Sequence, residues 1–202
     1  MITAAQLAEI APRCDAEILA PALSTAAETR DISTPLRMAH FLGQLCVESS
    51  GLTVFVENLN YSATRLCQVW PGRFPNEIAA QPFEHNPEKL AERVYGMRTS
   101  LGNTEPGDGY AFRGRGLIQI TGRANYQKYG EIIGVDLIAE PDKAAWLTIA
   151  PRIAAAFWAS HNLNPLADAD DLRGITLAVN GGLTGFDARK AWVAKAKTVL
   201  GA

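Results

Sequence analysis

Glu48 and Glu57 lie nine positions apart and occupy contrasting sequence contexts. Glu48 closes a largely apolar run, His40-Phe-Leu-Gly-Gln-Leu-Cys-Val-Glu48, where an ionised side chain is costly unless it faces a cleft. Glu57 follows in Thr53-Val-Phe-Val-Glu57-Asn-Leu-Asn-Tyr61, whose alternating apolar residues predict an extended segment exposing Glu57 on one side. Two carboxyl groups in different environments suit glycosidic hydrolysis: one stays protonated to donate to the leaving oxygen, the other stays ionised to activate water. Spacing alone leaves their separation open, from contact to about 30 Å, because an extended chain advances ~3.3 Å per residue.

The elements that must position these groups are mostly helices. Thr3 with Gln6 reads as a capping box for a short first helix, and Thr34-Pro35 supplies an N-cap and first-turn proline for a helix running to about Ser50. On that helix Leu42, Leu45, Cys46 and Ser49 mark an inward face, with Glu48 beside it. Partial desolvation there favours the proton-donating form of a carboxyl. Asn86-Pro87 repeats the start signal before 88–95, with Gly96 placed to end the helix. Further helices are expected over 62–69, 123–133, 142–147, 149–161, 169–179 and 186–200, with Gly134 stopping the one that begins near Arg123. The stretch from Arg98 to Gly116 holds five glycines and no helical period, so a loop or short hairpin is expected.

The 202 residues suffice for one domain with a sizeable core, taken as a single catalytic unit over 1–202 in which 1–33 form an N-terminal helical segment. No apolar run is long enough to span a membrane. Met1–Glu9 lacks a basic region followed by an apolar core, so the expectation is synthesis in the cytoplasm without a cleavable signal. Cys14, Cys46 and Cys67 form no CxxC pair and read as small buried residues rather than a disulfide framework. Net charge is −2, with basic excess over 65–128 (nine against six) and 173–202 (five against one), far from the strongly basic balance of a nucleic-acid binder. His40, His85 and His161 have no metal-ligand spacing, and no GxSxG elbow is present, so no metal or cofactor is expected. Phe-Arg-Gly-Arg-Gly occurs once and lacks the frame of a phosphate loop. Trp146, Trp158 and Trp192 read as core, which leaves Trp70 as a candidate for stacking on a sugar ring.

Three separated motifs then carry a resemblance: Phe41 to Asn60, Phe112-Arg-Gly-Arg-Gly-Leu-Ile-Gln-Ile-Thr121, and Ala178-Val-Asn-Gly-Gly182. In that order they resemble glycoside hydrolase family 19, the family of plant-type chitinases and compact bacteriophage endolysins, over roughly residue 34 to the C-terminus. The resemblance implies a mainly α, lysozyme-like fold with two lobes and a substrate cleft. It also implies inversion, with Glu48 as general acid and Glu57 as general base, for which carboxyl groups about 6.5–9.5 Å apart admit a water. Thr121 matches the hydroxyl that helps hold this water, although it also reads as the N-cap of the next helix. Gln119, Asn125 and Tyr126 match cleft-lining positions. Arg115 is expected to support the carboxylates by an ion pair. Asn180 matches a substrate contact but equally resembles a helix-ending turn, and Arg189 matches a late arginine near the second glutamate. Val47 stands where the chitinase branch commonly has histidine, and the absence of disulfides and cleft-lengthening loops favours the endolysin branch. The partners implied are peptidoglycan, or else a chitin-type glycan, met by a monomer that a holin releases to the cell wall.

Overall fold

The computed structural model describes residues 1–202 and is mainly helical. Its helices are α1 (Ala4–Ile10), α2 (Ala16–Glu28), α3 (Pro35–Glu48), α4 (Ala63–Val69), α5 (Glu77–Ala80), α6 (Pro87–Tyr95), α7 (Asp108–Ala111), α8 (Arg123–Ile133), α9 (Ala150–Ser160), α10 (Asn164–Asp168), α11 (Leu172–Asn180) and α12 (Phe186–Leu200). Short 3₁₀ turns cover Gln81–Phe83, Thr99–Leu101 and Pro141–Ala145. The capping box at Thr3 is present, Thr34 caps α3 with Pro35 in its first turn, and Asn86 caps α6. Gly134 ends α8 in the left-handed conformation at φ 67°.

Three segments differ from the sequence reading. The N-terminal segment holds a second helix, α2, capped by Asp15 and running through the exposed Pro21. Proline there removes one intrahelical donor, but on the solvent side water can satisfy the carbonyl left free. Residues 141–145 wind as 3₁₀ rather than α. The helix expected over 169–179 is α11, which starts three residues later because Asp170 turns left-handed at φ 54° and Asp171 caps it, and a separate short helix, α10, precedes it. The glycine-rich stretch is a loop as expected, holding the short helix α7, and Arg115 after it makes two isolated antiparallel bridges, to Val56 and Ile120.

The core divides into lobes. The larger lobe is organised on α3, with Phe41, Leu42, Leu45 and Cys46 buried against α1, α2, α9 and α12, and Phe41 edge-on to Trp158 at 5.4 Å. α3 and α12 approach closely because residue 43 is glycine: a Cβ there would lie 2.2 Å from Val193 Cγ2. A second cluster, with Phe112, Tyr126, Tyr129 and Ile153, joins α8 to α9. The smaller lobe is α4 to α6, built on Leu59, Leu66, Phe74, Leu90 and Val94. No helix is long and apolar enough to cross a membrane. Trp158 is core, whereas Trp146 is 53% exposed at the end of a 3₁₀ turn, contrary to expectation.

Candidate active site

The two glutamates arise from one continuous piece of chain that reverses at the end of α3. Ser49 Oγ donates to Leu45 O at 2.6 Å, and Gly51 N donates to Cys46 O at 2.7 Å. Ser50, Gly51 and Leu52 are all left-handed, with φ of 52°, 75° and 63°. Two of these are not glycine, a costly arrangement that buried Leu52 helps to hold. Thr53 N and Val54 N then both return to Ser49 O at 2.9 Å. Glu57 therefore lies three residues beyond an anchor on the helix end, about 10 Å of extended chain at most.

Glu48 sits against a buried cation. Arg189, from the first turns of α12, donates through Nη2 to Glu48 Oε1 and through Nη1 to Gln44 Oε1 at 2.5 Å. The guanidinium is 2% exposed and the Glu48 side chain 22% exposed. Gln44 and Glu48 are one turn apart on α3, so a single guanidinium spans both. Gln44 Nε2 and Arg189 Nε are buried without a partner. Arg189 thus joins the first glutamate, not the second as the sequence suggested, and Gln44 was missed. Its i−4 relation to Glu48 was the available signal.

Glu57 is held by neutral donors. Tyr95, the last residue of α6, donates its hydroxyl to Glu57 Oε1 at 2.6 Å, and Gly114 N donates to Glu57 Oε2 at 3.2 Å. Backbone bonds from Glu57 N to Gly114 O and from Gly116 N to Phe55 O zip this extended segment to the glycine-rich loop. The strand-like alternation is present with the opposite sense to that expected. Val54 and Val56 face out at 40% and 38% exposure, while Phe55 and Glu57 turn partly inward. Residue 114 must be small, since a Cβ there would stand 3.2 Å from Glu57 Cβ and 3.0 Å from Gln119 Oε1.

Gln119 therefore borders the Glu57 pocket, in a left-handed conformation at φ 50° with its amide nitrogen donating to Gly116 O at 2.8 Å. Thr121 Oγ1 donates to Gln119 O at 3.2 Å. Thr121 is not the N-cap of α8; Gly122 takes that place, and Asn125 Nδ2 closes the turn by donating to Thr121 O at 2.8 Å. Tyr126 is fully buried rather than lining an open cleft. Burial pushes its phenol up to about 12, against the nearby Arg115, so the hydroxyl stays protonated and donates to Arg113 O at 2.6 Å.

Arg115 does not pair with either glutamate. Nearly fully buried, it donates to Ala111 O, the Tyr126 hydroxyl and Asp142 Oδ1, so it braces the loop from beneath. Asn180 is exposed at the end of α11, its amide turned to Gly182 O at 3.3 Å, and Gly181 is left-handed as a helix-ending turn requires. Trp70 packs edge-on to Tyr61 at 5.4 Å and is partly exposed. Two concavities, about 550 Å³ along α8 and about 530 Å³ between α2 and α9, contain neither glutamate.

The fold is mainly helical and lysozyme-like, and it carries one carboxylate backed by a buried guanidinium and another held by uncharged donors, an arrangement compatible with glycan hydrolysis. A family model described as chitinase class I, glycoside hydrolase family 19, matches residues 19–171. A glycosyl hydrolase family 19 domain-containing protein of Haemophilus influenzae is 38% identical over 168 residues, 83% of this chain and 82% of its own. The acidic 27 kDa endochitinase of Solanum lycopersicum is 45% identical over 51 residues, 25% of this chain and 21% of its own. Among solved structures, chitinase C from Streptomyces griseus superposes with a TM-score of 0.70 at 18% identity, over all of this chain and 77% of the other. A bacterial family 19 chitinase gives 0.69 at 16% identity, over all of this chain and 95% of the other. The chain belongs to glycoside hydrolase family 19, and with that family it is an inverting, chitinase-like glycoside hydrolase.

Proposed function

We propose that this protein is an endolysin that hydrolyses the β-1,4 glycan backbone of bacterial peptidoglycan, with Glu48 as general acid and Glu57 as general base. The observation that supports the division of labour is membership of family 19 together with the Glu48 and Glu57 segments that match its acid and base motifs. Glu48 donates its proton to the leaving sugar oxygen, and the carboxylate then formed lies against Arg189, which is placed to receive that charge. Glu57, aligned by Tyr95 and Gly114, takes a proton from water as the water attacks the anomeric carbon from the opposite face. The glycosidic bond breaks, the new C–O bond forms with inverted configuration, and solvent exchange resets both carboxyls. Thr121 and Gln119, joined by a hydrogen bond beside Glu57, are assigned to the water and the sugar. Asn125 and Asn180 each keep an amide oxygen for sugar hydroxyls.

Val47 in place of the chitinase histidine, and three free cysteines in place of disulfides, support peptidoglycan over chitin. A chitin reading is favoured by the names of the solved neighbours and of the tomato relative. Assaying purified protein on peptidoglycan and on chitin oligomers, with the product anomer followed by NMR, separates the two. Activity confined to chitin would remove the endolysin reading, and a retained configuration would remove the mechanism. Azide should rescue Glu57→Ala by attacking directly to give an inverted glycosyl azide.

Access to the wall is assigned to a separate holin. Ile2, Leu7 and Ile10 of the N-terminal segment pack in the core of the larger lobe. Expression in a Gram-negative host with and without a permeabilising protein tests this. Rapid lysis by the enzyme alone would overturn it.

A further inference from the structure

Resting on the assignment of Glu57 as base, we infer that Tyr95 is its positioning residue: the phenol of α6 locks the carboxylate in the rotamer that faces the attacking water. Each Glu57 oxygen receives one fixed donor, Tyr95 Oη on Oε1 and Gly114 N on Oε2, which leaves lone pairs on both for a water. An extended segment with exposed neighbours on both sides cannot hold a glutamate by itself, because its side chain has three free torsions. The smaller lobe supplies the missing constraint.

Tyr95 is in turn over-determined. Its ring packs at the edge of the small-lobe core, and its carbonyl accepts Asn103 Nδ2 at 2.8 Å. Asn103 is fully buried, and its Oδ1 accepts the amide of Arg123 at the start of α8 at 2.8 Å. Glu92, one turn earlier on α6, accepts Tyr110 N at 3.0 Å, which ties the same helix to the loop that carries Gly114. The two donors to Glu57 therefore belong to one braced unit and keep a set spacing. Burial, and after it the adjacent Glu57, raises the Tyr95 phenol well above its ordinary range, so it remains a donor throughout the working pH of the enzyme.

Tyr95→Phe keeps the ring and deletes only the hydroxyl. A positioning role predicts a fall in kcat of about 10- to 100-fold, the scale of one charge-assisted hydrogen bond, with KM within about twofold. The same change made on Glu57→Gln should cost nothing further, since the group it positions is already disabled. Wild-type kcat in Tyr95→Phe, or an equal additional loss in the Glu57→Gln background, would overturn the inference. Glu57→Gln alone is the control for the reading beneath it: near wild-type activity in that variant removes the base assignment, whereas its inactivation together with a silent Tyr95→Phe removes only the role of Tyr95.

Discussion

Glu48 and Glu57 are the same residue type, nine positions apart, yet the molecule surrounds them in opposite ways. Glu48 belongs to the large lobe, on a helix packed so tightly on α12 that glycine is needed at position 43, and its partner is a buried guanidinium shared with Gln44. Glu57 stands on an extended strip between lobes, and its partners are a phenol and a backbone amide. A cation stabilises the charge that appears on a carboxyl after it gives up a proton. Neutral donors fix orientation and leave the basic lone pairs free. On the proposed roles, the two glutamates acquire separate work from their neighbours.

The largest effects should come from removing either carboxyl. Glu48→Gln is expected to fold normally and lose about 10²–10⁴-fold in hydrolysis of purified cell walls, because an amide keeps the shape but cannot donate the proton. Glu57→Gln should lose a similar amount. If only one of the two matters, the division between the lobes is broken.

Next in size is the cation. Arg189→Met leaves Glu48 and Gln44 without their shared donor. Breaking a buried pair costs about 3–5 kcal/mol, and the partial exposure of Glu48 reduces that toward about 1–3 kcal/mol. A lowered melting temperature and at least tenfold lower kcat are expected; unchanged kcat would make Arg189 structural only.

Gly114→Ala sharpens the other half. The added methyl falls within 3.3 Å of Glu57 Oε2, so Glu57 or Gln119 must shift by a few tenths of an ångström. A several-fold to tenfold drop in kcat with little loss of melting temperature is expected. Thr121→Ala should cost less than Glu57→Gln, since it removes one contact to the water; equal losses would give Thr121 a larger part.

The smallest effect concerns the far side of α3. His40 is fully buried, with Nε2 2.6 Å from Asp170, which also meets Lys197; Asp171 lies nearby. Burial outweighs Asp170 and holds the imidazole below its ordinary value. The unfolded chain therefore takes up a proton near pH 6.5 while the folded chain does not, so stability is full above that pH and declines as pH falls below it. Asp170, held low by Lys197 first, keeps its charge over the same interval. Melting temperature should drop by about 2–4 °C for each kcal/mol lost between pH 7 and 5. His40→Gln should flatten this slope without altering the Glu48 and Glu57 phenotypes.

Local chemistry made much of this molecule legible in the sequence alone. Thr3 with Gln6, Thr34-Pro35, Asn86-Pro87 and Gly134 mark helix ends because caps and left-handed stops act within a few residues. The apolar spacing of Leu42, Leu45 and Cys46 set the buried face of α3, and the motifs around Glu48, Glu57 and Thr121 carried the family. The errors in pairing the site residues share one cause. Arg115 goes to Asp142, Arg189 to Glu48, and Tyr126 beneath the loop, because a long side chain pairs with whichever group the packed elements bring near, and sequence spacing does not encode that. Tyr95 reaches Glu57 across 38 positions and Arg189 reaches Glu48 across 141. The sequence by itself marked the residues proposed for the chemistry and many of the helix ends around them; only tertiary packing decided which neighbour each carboxyl received, because a carboxyl's environment is the sum of groups that meet in space from distant parts of the chain.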